Sequence, residues 1–186
     1  MVYDVPCFDE QITTSGDDFF LTAKDVLSSV RSFAFRPEAT LTGGRRHIPL
    51  QHLGPGVTAV VEWNGDLPTW LSEAIQRLTR LTQLQQNWNS YGARPVRVNS
   101  IVAALDTLHS VMSDDTPLPE FVPTPRGTIQ FEWHIHGIEL EVDALSPGQV
   151  RVSYEDLRGI NDGIEDLITT NLAVVRGAVS TIVARG

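Results

Sequence analysis

Between Thr128 and Tyr154 the chain alternates apolar and polar residues with a period of two, which a strand satisfies and a helix does not. Ile129, Phe131, Trp133 and Ile135 are separated by Gln130, Glu132 and His134. His136-Gly137 suits a two-residue turn. Ile138, Leu140 and Val142 then repeat the pattern, as do Val150, Val152 and Tyr154 beyond Ser146-Pro147-Gly148. The spacing predicts an antiparallel β-meander of three or more strands with one apolar face. Phe121-Val122 adds a candidate strand before Pro123 and Pro125 interrupt it. With the turn at His136-Gly137, Ile135 pairs with Ile138, His134 with Glu139, Trp133 with Leu140 and Glu132 with Glu141. Pairing Val142 with Val150 would set Arg151 beside Glu141, giving a Glu132–Glu141–Arg151 ladder on the polar face.

An apolar sheet face needs cover, and the flanking sequence supplies helices. Leu71, Ala74, Ile75, Leu78, Leu81 and Leu84 recur at steps of three and four after Pro68. Ile101, Val102, Leu105, Leu108, Val111 and Met112 do the same after Asn99, a good N-cap. The two form a helical hairpin. A third and longer helix is expected over residues 162–184, with Asp162 and Glu165 as a capping pair. Its apolar seam suits packing on its own domain. The sharper use is a homodimer contact through Ile164, Ile168, Val175 and Ile182.

Upstream, Val57–Trp63 is β-branched and bounded by turn residues, so it reads as a strand. Val26, Leu27, Val30, Phe33 and Ala34 fit a short helix from Leu21 to Phe35. Residues 1–20 read as a flexible arm, leaving 21–186 as one α+β domain. Gly43-Gly44 before Arg45-Arg46 lacks the spacing of a phosphate-binding loop and reads as a hairpin turn.

The 186 residues carry a net charge of −9. Residues 113–166 hold 12 acids against 3 arginines, which accounts for the whole imbalance. Such a surface repels phosphate backbones, making nucleic acid an unlikely ligand, and speeds encounter with basic partners. The single cysteine, Cys7, excludes an internal disulfide and a multi-cysteine metal site. No basic segment followed by an apolar run opens the chain, so a cytoplasmic location is expected.

Two constellations bear on chemistry. Glu132, His134, Glu139 and Glu141 share the polar sheet face and offer oxygen and imidazole ligands to a divalent metal, the basis of a small metal-dependent hydrolase. The plainer reading is a solvated strand face without the closed pocket of a true site. Between the first two helices, Trp88, Tyr91 and Arg94 lie on a turn set by Gly92 and Pro95, and they are residue types that anchor interfaces. Pinning the loop to the core is the competing use. No serine lies in a Gly-x-Ser-x-Gly turn, and the histidines at 47, 52, 109, 134 and 136 lack metalloprotease spacing.

Trp88-Asn89-Ser90-Tyr91-Gly92-Ala93-x-Pro95, a helix, and Pro123-Thr124-Pro125-x-Gly127-x-Ile129-x-Phe131-Glu132-Trp133 together resemble a family of small uncharacterised bacterial proteins. That family pairs Trp-Asp-Ser/Gly-Tyr-Gly-Ala with Pro-Thr-Pro-x-Gly-Gly-x-x-Leu-Glu-Trp. The resemblance spans about residues 75–155 and implies an intracellular bacterial α+β domain with no established activity. Asn89 stands for the family's aspartate and Thr128 for its second glycine.

From these features the expected function is that of a noncatalytic cytoplasmic protein-binding module, of the antitoxin, immunity or accessory-subunit kind, without a cofactor. The metal-dependent hydrolase and a structural homo-oligomer held by the terminal helix are the alternatives.

Overall fold

The computed structural model describes residues 19–25, 40–42, 45–50, 57–64, 66–159 and 163–186. The chain divides into two compact units, 1–65 and 66–186. In the first, β1 (Phe19–Asp25), β2 (Thr40–Thr42), β3 (Arg45–Leu50) and β4 (Val57–Asn64) form an antiparallel sheet in the order β1-β4-β3-β2. Leu50, Val61 and Trp63 are buried in it. The β-branched stretch is thus a strand, β4, whereas Gly43 and Gly44 of the expected hairpin turn lie outside the described residues. The helix expected from Leu21 is corrected: Leu21–Asp25 belong to β1, which pairs along its length with β4. A ready β-branched partner strand outweighs weak local helical spacing. Val26 to Phe35 and residues 1–18 of the expected arm lie outside the described residues, whereas Phe19 and Phe20 are strand.

The second unit is an α+β fold built on the predicted meander. Helices α1 (Leu71–Leu81) and α2 (Val98–Val111) precede β5 (Glu120–Pro123), β6 (Ile129–Ile135), β7 (Ile138–Ser146), β8 (Gln149–Asp156) and β9 (Ile164–Thr169), and α3 (Ala173–Arg185) closes the chain. The five strands lie in sequence order and every neighbouring pair is antiparallel. α2 crosses β6, β7 and β8, α3 lies against α2 and β7, and α1 meets β5. Ile129, Phe131, Ile138, Leu140, Val142, Val150 and Val152 point into this core and are fully buried, with Trp133 nearly so. Phe121 stands edge-on to Phe131 at 5.1 Å, and the Trp133 indole N–H donates to the Pro117 carbonyl at 2.8 Å. Asn99 is not the cap of α2. The helix starts at Val98 after Arg97, with no side-chain cap bond.

The β6–β7 register is the predicted one, from Ile135 opposite Ile138 to Glu132 opposite Glu141. His136 and Gly137 have φ of 56° and 77°, the left-handed pair that lets a two-residue turn follow the strands' twist. The next register is corrected. β7 runs on to Ser146, the turn contracts to Pro147-Gly148, and Val142 faces Val152 instead of Val150. Arg151 therefore stands opposite Asp143, Glu141 opposite Ser153, and the Glu132–Glu141–Arg151 ladder does not form. A slip of two residues keeps every apolar side chain on its face, so alternation is blind to it.

The long terminal helix is also corrected. Ile164–Thr169 form edge strand β9, and the helix has 13 residues starting at Ala173. Asp162 lies outside the described residues and Glu165 is in the strand. Between strand and helix, Thr169 Oγ1 accepts the Asn171 N–H and Asn171 Oδ1 accepts the Ala173 N–H, a local alternative to helical bonding. The seam of Ile164, Ile168, Val175 and Ile182 is accordingly split. Ile164 and Ile168 are on β9, and Val175 and Ile182 are fully buried in their own unit.

α3 is fastened at its end. Arg185 makes a two-pronged ion pair with Asp156 at the end of β8, at 2.8 and 2.6 Å. The guanidinium holds the Asp156 carboxyl down to about 2, backed by the Arg158 and Gly159 amides. A depressed carboxyl contributes stability above the ordinary carboxylate range and loses it as pH falls toward its folded value. Acid titration followed by circular dichroism should show α3 loosening between about pH 4 and 2. An Asp156→Asn variant should begin less stable and lack that step.

Candidate functional site

The loop between α1 and α2 is a set of interlocked turns. Asn87 and Ser90 both sit at φ 64°, and Gly92 at 86°. Asparagine tolerates this region, and its short amide can bond to nearby backbone. Asn87 does so: its Oδ1 accepts the Gly92 N–H at 2.7 Å, while its backbone N–H donates to the Ala93 carbonyl, also at 2.7 Å. Asn89 Oδ1 accepts two amides, Tyr91 at 2.9 Å and Ala93 at 3.1 Å. The Trp88 indole N–H donates to the Arg94 carbonyl at 3.2 Å, and Ala93 is fully buried beneath.

This loop is joined to the second sequence motif. The Arg94 N–H donates to the Pro125 carbonyl at 3.0 Å, and Ser100 Oγ donates to the Gly127 carbonyl at 2.7 Å. Gly127, at φ 85°, passes so close that a Cβ there would lie 2.7 Å from the Pro95 carbonyl oxygen. Glycine is required by both conformation and space. Beyond it, Thr128 Oγ1 donates to the buried carboxylate of Asp143 at 2.5 Å and is bonded to Thr124 Oγ1 at 2.8 Å. Arg126 approaches the other oxygen of Asp143 at 3.5 Å. Thr128 thus anchors the turn to β7.

The loop residues divide by role. Trp88 is half-buried and used internally, whereas Tyr91 is 91% exposed. Arg94 holds the loop through its backbone while its side chain is exposed. The arginines sequence reasoning passed over are Arg97 and Arg126, both exposed close to Arg94 along the chain or across the junction. The signal was available: residues 74–105 contain Arg77, Arg80, Arg94 and Arg97 and no acid. Averaging the chain outside 113–166 to neutrality hid it.

The other candidate set lies on the sheet face away from α2 and α3. Register brings Glu120, Glu132 and Glu141 into one row, and Glu139 opposite Glu155. Directly opposed carboxylates repel, and two side chains offset this. The Gln130 amide donates to Glu132 at 3.1 Å and to Glu141 at 3.0 Å. His134 bonds Glu139 through Nδ1 and Glu132 through Nε2, the latter at 3.2 Å. Donating from both ring nitrogens requires the imidazolium, and the Glu139 bond foremost, then that of Glu132, raises the His134 pKa. Glu132, His134 and Glu139 do come together, with Glu141 joined through Gln130. Yet no group of three or more His, Cys, Asp or Glu among the described residues is arranged to hold a metal ion. The adjoining depression of about 820 Å³, lined by Glu139, Glu141, Tyr154, Glu155 and Glu165 among others, is open and polar. Among the described residues its walls are polar and open rather than dry and closed.

Comparison with family models, with curated proteins and with solved structures gives no match at any of the three levels. No helix among the described residues is long and apolar enough to cross a membrane.

Two outcomes check this geometry. Asn89→Ala should cost about 1 kcal/mol in urea unfolding by stranding two loop amides, while Asn89→Asp, which keeps the acceptor, should be nearly neutral. In an NMR titration, His134 should titrate above its ordinary 6.5 and fall back toward it in Glu139→Gln. The raised value means that its stabilising contribution is complete below the ordinary pKa and fades as pH rises through the folded one.

Proposed function

We propose that the chain is a noncatalytic protein-binding module, of the accessory-subunit, antitoxin or immunity kind, that uses the Trp88–Arg94 loop and the acidic sheet face. The observation that carries the reading is the display of Tyr91. The only described large apolar or aromatic side chains reaching 40% exposure are Tyr91, Leu157, Leu167 and Ile168, and Tyr91 is by far the most exposed. It stands on a loop whose neighbours are committed to backbone hydrogen bonds. Placing Asn87 and Ser90 in the left-handed region is unfavourable for ordinary residues, so the chain accepts a cost to hold this shape. A rigid aromatic on a preorganised loop loses little entropy on binding, which makes it an efficient anchor. The acidic face supports the same reading through long-range attraction of a basic region on a partner.

The metal-dependent hydrolase gains no support from the carboxylate and histidine positions. A homodimer through the terminal helix would need surfaces other than Val175 and Ile182, which the unit's own core occupies.

The test is native mass spectrometry of the full chain purified gently from its host, alongside Tyr91→Ala and Trp88→Ala. A second polypeptide at fixed ratio should accompany the wild type and be lost with Tyr91→Ala, whose melting temperature should move by no more than about a degree. Trp88→Ala should lower the melting temperature by several degrees, because it removes a packed indole and its hydrogen bond. A chain that purifies alone, or a Tyr91→Ala variant destabilised as much as Trp88→Ala, would overturn the proposal.

A further inference from the structure

The charged residues of the Tyr91 loop and of the turn joined to it are arginines, opposite in sign to the protein's net charge. Arg94 and Arg97 are exposed and make no side-chain hydrogen bond or ion pair among the described residues. Arg126 lies across the junction, since the Arg94 N–H donates to the carbonyl of its neighbour Pro125. It is 58% exposed, and its one ion-pair partner among the described residues is Asp143, at 3.5 Å. Helix α2 begins immediately after Arg97 with no side-chain cap bond and no acid in its first turn. Its N-terminal partial positive charge is therefore not offset from within the helix. The stretch 74–105, which contains the whole loop, has four arginines and no acid in a chain of net charge −9.

We infer that the Tyr91 loop takes an acidic segment of a partner protein, with Tyr91 as the packing anchor and Arg94, Arg97 and Arg126 as the carboxylate-binding groups. The inference rests on the protein-binding reading and adds the chemistry of the partner at this loop. Two exposed arginines on the loop of one exposed aromatic, with a third on the turn joined to it, suit planar carboxylates, which arginine can hold by two parallel hydrogen bonds. Among the described residues, two of the three have no side-chain partner to surrender on binding, so no described pair need break at them. Single-stranded nucleic acid also offers anions and stacking surfaces. It usually requires successive aromatic platforms along a basic groove, whereas here the same unit carries the acidic rows of the sheet face. A short acidic protein segment feels the same long-range repulsion but needs only one such platform, because arginine holds each carboxylate locally by paired hydrogen bonds. The chain would thus present two recognition surfaces of opposite sign.

Fluorescence anisotropy on the full chain at low salt tests this with three labelled probes: an octaglutamate peptide, an octalysine peptide and an eight-nucleotide oligothymidylate. Octaglutamate should bind saturably, weaken with salt, and lose roughly tenfold in affinity in the Arg94→Glu/Arg97→Glu double variant. Arg94→Gln/Arg97→Gln should fall between the two, and both variants should keep the wild-type melting temperature. Octalysine binding should be unchanged by these substitutions, because its attraction is to the sheet face. The inference is overturned by absence of saturable octaglutamate binding, by equal binding to the double variant, or by tighter binding of the oligonucleotide, which would assign the loop to phosphate. A polypeptide that co-purifies in a Tyr91-dependent manner but is indifferent to Arg94→Glu/Arg97→Glu would also overturn it while leaving the protein-binding proposal standing.

Discussion

The contact on which the second unit turns is the junction of Gly127 with the Arg94–Pro95 backbone. One amide-to-carbonyl bond, Arg94 to Pro125, and one close approach, Gly127 to the Pro95 carbonyl, join the interhelical loop to the strand entering the meander. Both sides are held from behind. Asn87 and Asn89 tie the loop to itself, while Thr124, Thr128 and Asp143 tie the turn to β7. A buried carboxylate is tolerable there because Thr128 donates to one oxygen and Arg126 approaches the other. The loop that displays Tyr91 is consequently an extension of the sheet's own hydrogen-bond network, and its rigidity derives from the core.

How much of this could be read from the residues follows from which interactions leave a periodic trace. The meander could, because Ile129, Phe131 and Trp133 must all face one way, and the His136-Gly137 turn fixed the first register. The second register could not, since a two-residue slip preserves the alternation, and only the length of β7 distinguishes Val150 from Val152 opposite Val142. At the C-terminus, Ile164 and Ile168 fit a helical seam with Val175 and Ile182 by chance, and pairing with the β8 edge makes them strand. Edge pairing is non-local, so no local pattern announces it. The same holds for Phe19–Asp25 against β4. At the candidate site, Trp88, Tyr91 and Arg94 were visible as types. That the first is used inside and the second displayed depends on exposure, which no spacing encodes.

Charge shows the same division between what averages reveal and what placement reveals. The excess of acid in residues 113–166 is plain in the sequence, but antiparallel pairing is what stacks Glu120, Glu132 and Glu141 into one row. Alone, that row would oppose folding. It persists because Gln130 bridges two of its members and His134 lies between Glu132 and Glu139, so part of the repulsion is converted into directional bonds. The arginines of the loop are the complementary case. They could have been drawn into the acidic rows as internal ion pairs, as Arg151 is with Asp166 and Arg185 with Asp156. Among the described residues Arg94 and Arg97 make no such pair, and they share a loop with the most exposed aromatic of those residues. Since exposed ion pairs contribute little to stability, leaving these two cations without a partner among the described residues costs the fold almost nothing. Their charge therefore remains available at the loop, while the junction behind them supplies the rigidity that recognition requires.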